Sequence, residues 1–330
     1  MTGRQWTGLG LGVGVLIGAA CNPRIARYEE RGDRYSAQGD YVDALVEYQL
    51  ALDEAGTDQP SELRVKAGTL ALRSKNFSAA NGVFARLVTD DPEHWGEVIA
   101  LYQLHAYRWN ALGDTFSALQ AIDWLLARDS TANLGALYFT LGDAAFARPD
   151  YDQAISAYLL GLAQAADQAP PNVYIRLGEA FERKRHCAAA LPYFRRYLVV
   201  TRGEGSRAGD AKYQTGECAF QLAERAFAND DFASAKRYID VMIRTGEPVR
   251  RLDEAELVLA RIAEREGDRG AALAHYQRIL ARDPSPSSRP ALEAFRRVKQ
   301  IEFGLPLLTA ELVAADRARA ARGRSRQARP

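Results

Sequence analysis

The chain has 330 residues, 47% hydrophobic and 26% charged, a globular composition that excludes a disordered polymer. Its net charge of +1 conceals an asymmetry: residues 317–330 hold six Arg and no acid, leaving 37 basic against 42 acidic residues elsewhere. The body is mildly acidic and the tail is strongly basic, so any affinity for an anionic polymer belongs to the tail.

The first element is a targeting segment. Arg4 and the α-amino group supply a positive start, and Thr7 to Ala20 is an apolar, Gly-rich run. The run is too short to span a bilayer and suits a signal-peptide core. It ends in small residues directly before Cys21. That ending resembles the bacterial lipoprotein processing site, which implies that Cys21 is the lipidated first residue of the mature chain. Gly18 stands where that family usually has Leu. The alternatives are an ordinary secretory signal or an uncleaved anchor, with Cys21 incidental. Asn22 follows instead of Asp, which by the same resemblance implies the outer membrane, facing the periplasm. Acyl chains would hold the protein on that membrane.

Beyond the leader the chain repeats itself. An Ala followed four residues later by a large side chain returns at Ala44/Tyr48, Ala80/Phe84, Ala118/Ile122, Ala154/Tyr158, Ala190/Phe194, Ala235/Ile239 and Ala272/Tyr276. The steps are 36, 38, 36, 36, 45 and 37 residues. A period of this size predicts a stacked array in which each unit buries its apolar face against its neighbours. In the clearest unit, Tyr174, Leu177, Gly178 and Phe181 share one helical face, and Ala190, Phe194, Tyr197 and Leu198 share another after a short turn. Gly178 and Ala190 are small, which lets paired helices approach closely. Gly39-Asp40, Gly113-Asp114 and Gly267-Asp268 predict helix stops followed by N-caps.

The pattern aromatic-x2-Leu-Gly-x2-aromatic, then Ala-x3-aromatic, resembles the tetratricopeptide repeat (TPR). The resemblance implies an all-α, right-handed solenoid of seven helix pairs. The units lie near 25–60, 61–98, 99–134, 135–170, 171–209, 210–252 and 253–286, after a signal peptide over 1–20 and a linker over 21–24. Residues 202–209 read as a flexible loop taking up the 45-residue step. A capping helix is expected over 287–303, and an Arg-rich, mostly disordered tail over 304–330.

Chemistry leaves little trace. His94, His105, His186 and His275 are scattered and read as solvent or turn residues, so no metal, cofactor or catalytic residue is expected. Cys187 and Cys218 lie in apolar helical stretches, where buried free thiols are common, although an exported compartment would permit a bond.

By the resemblance, the first helix of each unit lines a concave groove. Its expected lining is Val65, Tyr107, Phe139, Asp143, Phe146, Ile175, Glu179, Glu182, Phe220, Glu224, Phe227 and Leu257. An apolar stripe flanked by carboxylates suits a protein or peptide partner carrying apolar and basic residues. The competing reading makes the stripe packing between units. Arg319, Arg322, Arg324, Arg326 and Arg329 suit anionic lipid, nucleic acid or the chain's own acidic groove. The expected function is a membrane-anchored, non-enzymatic scaffold for an envelope complex, such as pilus secretin, outer-membrane protein or exopolysaccharide machinery. A regulatory subunit of a cell-wall enzyme and a cytoplasmic nucleic-acid adaptor are the alternatives.

Overall fold

The computed structural model describes residues 22–303, and all their regular structure is helical. The leader, Cys21 and the Arg tail lie outside the described residues. Seven hairpins follow one another. They are α1 (Pro23–Gln38) with α2 (Tyr41–Ala55), α3 (Ser61–Arg73) with α4 (Phe77–Asp90), and α5 (Trp95–Ala111) with α6 (Thr115–Leu126). Then come α7 (Leu137–Ala147) with α8 (Tyr151–Ala165), and α9 (Pro171–Arg183) with α10 (Cys187–Val200). The last are α11 (Ala208–Ala228) with α12 (Phe232–Thr245), and α13 (Leu252–Glu266) with α14 (Arg269–Arg282), followed by a single helix α15 (Arg289–Glu302). The chain forms two compact units, one ending at Thr140 and the other beginning at Leu141, with the boundary inside α7.

Turn chemistry sets the hairpins. Asp114, Asp150, Asp231 and Asp268 each cap a second helix, accepting from a backbone N–H three residues on at 2.9–3.1 Å. Asn76 does the same for α4. Each cap satisfies a donor that the first helical turn leaves open. The residue before the cap must reverse the chain with positive φ. Glycine does this at Gly39 (φ 89) and Gly267 (φ 80), whereas Lys75, Arg185 and Asp230 adopt φ of 61, 60 and 59 with a Cβ in place. That conformation costs an L-residue about 1–2 kcal/mol.

Packing within each pair repeats one contact. Gly32, Gly68, Gly142 and Gly178 lie under Tyr48, Phe84, Tyr158 and Phe194, sixteen residues further on. A Cβ at any of these glycines would sit 2.5–2.9 Å from the ring above it. Where the position carries a methyl, at Ala106 and Ala223, the residue sixteen further on is Ile122 or Ile239. Ala260 faces Tyr276 in the last pair. All six of these non-glycine residues are fully buried. The lock therefore matches a small residue to a large one, which is how close-packed interiors avoid voids and overlap.

The long step between the fifth and sixth pairs is not a flexible loop. Ala208 and Gly209 already belong to α11, whose 21 residues take up the extra length. The connecting turn is pinned, because the Arg207 backbone N–H donates to the Tyr197 hydroxyl at 3.1 Å. Gly205 lies so close to Tyr197 and Thr201 that a Cβ would collide. Across this junction Cys187 and Cys218 are joined in a disulfide, with Cα atoms 5.0 Å apart. This corrects the expectation of free thiols: both cysteines are buried, one at the start of α10 and one within α11, and helix packing brings them face to face.

Stability measurements on three sets of variants check these points. Urea unfolding followed by circular dichroism should show Gly142→Val or Gly178→Val destabilised by about 1–3 kcal/mol from overpacking. Gly82→Ala should instead gain about 0.5–1 kcal/mol, because nothing lies within 4 Å of its Cβ position in α4. Replacing both Cys187 and Cys218 with Ala should lose about 2–4 kcal/mol, as removing a cross-link over this loop frees the unfolded chain.

Candidate partner-binding face

Several first helices carry carboxylates that are bound by a cation on, or just before, the next first helix. In the N-terminal unit, Lys66 reaches Glu29 at 2.6 Å and Asp33 at 3.3 Å. In the C-terminal unit, Arg176 pairs with Asp143 at 2.5 Å and Arg207 pairs with Glu179. Arg251 bridges Glu217 at 2.8 Å and Glu254 at 2.7 Å, and Arg261 grips Glu293 at 2.7 Å. Tyrosines of the packing lock join this ladder from below. Tyr48 donates to Asp33, Tyr158 to Asp143 at 2.6 Å, and Tyr276 to Glu264 at 2.8 Å. Burial, followed by the adjoining carboxylate, pushes each of these hydroxyls well above the usual phenol range.

The ladder changes what the face offers. Asp143 and Glu179 are already paired with Arg176 and Arg207, which tie neighbouring pairs together. The Glu182 and Glu224 carboxylates have neither a hydrogen bond nor an ion pair among the described residues. Burial holds the Glu182 carboxyl above the usual carboxylate range, with Glu179 and Glu217 acting the same way and Arg183 opposing them. Glu224 shifts in the same direction, first from partial loss of water, with Arg251 opposing and Glu254 and Glu217 assisting. Glu182, half-buried and without a side-chain partner, gains most from a cation brought by a ligand, and the exposed Glu224 gains less.

The apolar stripe is largely interior, which corrects its expected role as groove lining. Phe139, Ile175, Phe220 and Leu257 are 5%, 0%, 1% and 7% exposed. Ile175 and Phe220 belong to the core built on the fifth and sixth pairs, and Leu257 to the core that α15 closes. Helical periodicity is the same whether a face meets solvent or the next hairpin, so spacing did not separate the two. Val65 is half-buried, as are Phe146, seated edge-on against Tyr151, and Phe227, packed beside Phe232. Tyr107 is 41% exposed, and its hydroxyl donates to the Leu134 carbonyl at 2.7 Å.

Three aromatics of the third pair, Tyr102, Trp109 and Trp124, are buried filler, whereas Phe116 is exposed. Tyr102 and Trp124 stack with centroids 3.6 Å apart, and Trp109 packs on Phe77. Two histidines differ from their expected solvent or turn positions. His105 is buried against Trp109, and burial lowers its pKa. His275 lies 2.6 Å from the buried Glu256, which Arg278 also contacts. No group of three or more His, Cys, Asp or Glu among the described residues could hold a metal ion. No helix among them is long and apolar enough to cross a membrane.

The paired cations were the functional signal missed in the sequence. An acid on one first helix is followed 28–37 residues later by an Arg or Lys, as in Glu29/Lys66, Asp143/Arg176, Glu179/Arg207 and Glu217/Arg251. That interval is close to the repeat period, so a charge comparison at that spacing finds the ladder.

No protein-family model and no curated protein matches the chain. Solved structures do. MamA AMB-1 is 14% identical with a TM-score of 0.36, covering 57% of this chain and 97% of its own. YrrB, described as a TPR protein with an unusual peptide-binding site, is 19% identical with a TM-score of 0.31, covering 64% and 97%. PilF of Pseudomonas aeruginosa is 15% identical with a TM-score of 0.29, covering 83% and 98%. At these scores the likeness carries no argument, and the repeated helical hairpins rest on this chain's own contacts and turn caps.

The Glu182 environment has a measurable consequence. Its folded-state pKa is raised, so the native chain binds this proton more tightly than the unfolded chain does. Its effect on stability therefore becomes less favourable as pH rises from the unfolded value of 4.5 through the folded value. Glu182→Gln should raise the urea midpoint at pH 7 and leave it unchanged at pH 4.

Proposed function

We propose that this chain is an exported, lipid-anchored scaffold without catalytic activity, which recruits a basic, partly apolar segment of an envelope protein. The observation that carries the binding reading is the pair Glu182 and Glu224. They lie on first helices of consecutive hairpins, without internal partners, on a face whose other carboxylates are mostly neutralised. Phe146, Phe181 and Phe227, all half-buried, add apolar surface to the first helices of the same unit. A Lys- or Arg-bearing helix meets both needs, its cations answering the glutamates and its apolar side chains resting on the rings. Protein interaction is what tandem helical hairpins serve physically, since they present long, rigid, repeated faces.

Two features support the exported location. Small residues precede Cys21 after a short apolar run, as in lipoprotein leaders. The Cys187–Cys218 bond suits an oxidising compartment, where such bonds persist. Outer-membrane attachment facing the periplasm follows from Asn22 after the lipidated Cys. On this reading the partner belongs to an assembling envelope machine, and the basic tail meets anionic lipid beside the anchor.

The test is quantitative mass spectrometry of proteins that co-purify with the full-length chain from detergent-solubilised membranes. Cys21→Ser and the double variant Glu182→Gln/Glu224→Gln serve as comparisons. The expected result is a stoichiometric envelope partner that is lost from the membrane fraction with Cys21→Ser and depleted at least tenfold in the double variant. Recovery of the same partners in the soluble fraction with Cys21→Ser would contradict the anchor. Undiminished recovery with the double variant would contradict the acidic face.

A further inference from the structure

The second helices of the fifth and sixth hairpins enclose a cleft of opposite character. It has a volume of about 440 Å³ and lies between α10 and α12, with α11 beneath. Leu191 and Leu222 form its floor, 6% and 7% exposed. Val199, at 65% exposure, and the half-buried ring of Tyr238 form its walls. Two guanidinium groups stand at its rim. Arg196 lies 5.7 Å from the Tyr174 ring centroid, and Arg195 has no ion-pair partner among the described residues.

One backbone feature narrows what the cleft can hold. Pro192 lies inside α10 and lines the cleft together with Ala188, four residues earlier. Proline has no N–H, so the Ala188 carbonyl lacks the helical donor that residue 192 would otherwise supply. The Tyr238 hydroxyl likewise makes no hydrogen bond among the described residues. The cleft thus offers an apolar floor, two cations, a backbone acceptor without its helical donor and a free hydroxyl. Its size falls within the range of sites that bury a small ligand or a pair of side chains.

From this we infer that the cleft between α10 and α12 binds an acidic peptide segment, seating a leucine or phenylalanine on Leu191 and Leu222 while flanking carboxylates meet Arg195 and Arg196. An amide N–H of that segment supplies the donor that Pro192 denies to Ala188. A fatty acid or anionic detergent would match the floor and the cations, but it has no N–H for that carbonyl. The peptide accounts for all the features together. Its charge is opposite to that of the segment assigned to the first-helix face, so the two faces select different sequences and can be occupied at once.

The experiment uses the full chain with its disulfide intact and a fluorescein-labelled, end-capped hexapeptide with leucine and phenylalanine at its centre and two acidic residues on each side. Fluorescence anisotropy should show saturable binding. The peptide with lysines in the flanking positions should bind at least tenfold more weakly. Arg195→Glu and Val199→Asp change exposed side chains, so each should retain the native circular dichroism spectrum while weakening the acidic peptide at least tenfold. Glu182→Gln should leave this binding unchanged, which separates it from the proposed first-helix site. Absence of saturable binding would overturn the inference, as would equal binding of the lysine peptide or unchanged binding by both cleft variants. Saturable binding of dodecanoate with none of the peptide would assign the cleft to amphiphiles and overturn it.

Discussion

Each hairpin depends on a large side chain resting on a residue with little or no side chain of its own. Gly142 beneath Tyr158 and Gly178 beneath Phe194 set the distance between paired helices, and Ala223 with Ile239 achieves the same fit with one more methyl and one less ring. Once that distance is set, the remaining apolar residues of the first helices are carried against adjacent hairpins, which is why Ile175 and Phe220 are interior. The tyrosine version of the lock adds a polar consequence. Tyr158 spans the pair and places its hydroxyl on Asp143, so a packing residue also orients a charged one. Burial of this kind, repeated along a stack, makes stability a sum of pairs and their interfaces.

The charges follow the same economy of neighbours. Arg176, Arg207 and Arg251 each bind a carboxylate of the preceding first helix. Individual exposed pairs of this type contribute at most about 1 kcal/mol. Their main effect is on the face itself, because they neutralise most of its acids and leave Glu182 and Glu224 as the distinctive ones. On the second helices the balance is inverted around Pro192, where Arg195 and Arg196 stand over an apolar floor. One unit therefore presents two faces of opposite sign, a suitable arrangement for a scaffold that brings two segments together.

The hairpins were legible in the sequence because their signals are local. The Ala period, the small residue before each turn and the Asp that caps the next helix all act within about twenty residues. Features that depend on distant residues were not legible. Amphipathic spacing cannot distinguish solvent from a neighbouring hairpin, so it places Phe139, Ile175, Phe220 and Leu257 on a groove when they are buried. Glu179 was assigned to the groove because its partner, Arg207, sits across the next turn, in a segment whose Gly, Ser and Arg content reads as loop. The same segment hid the start of α11. The Cys187–Cys218 bond could not be read either, because it depends on a Cα separation of 5.0 Å set by the helix packing. Glu182 and Glu224 lie on α9 and α11, but the sequence carries no sign that their carboxylates lack partners, because the ladder that pairs the other acids joins residues 28–37 apart.

The measurement that bears most directly on this arrangement is the titration of the Glu182 side-chain carboxyl by carbon-detected NMR, with Glu182→Gln used for assignment. A midpoint above the ordinary value of 4.5 is expected, because burial and two neighbouring acids outweigh the opposing effect of Arg183. Addition of a lysine-bearing partner segment should then move the midpoint down. A midpoint at or below 4.5 in the free protein would mean that Glu182 is already solvated or paired, and would contradict its role as the acceptor on this face.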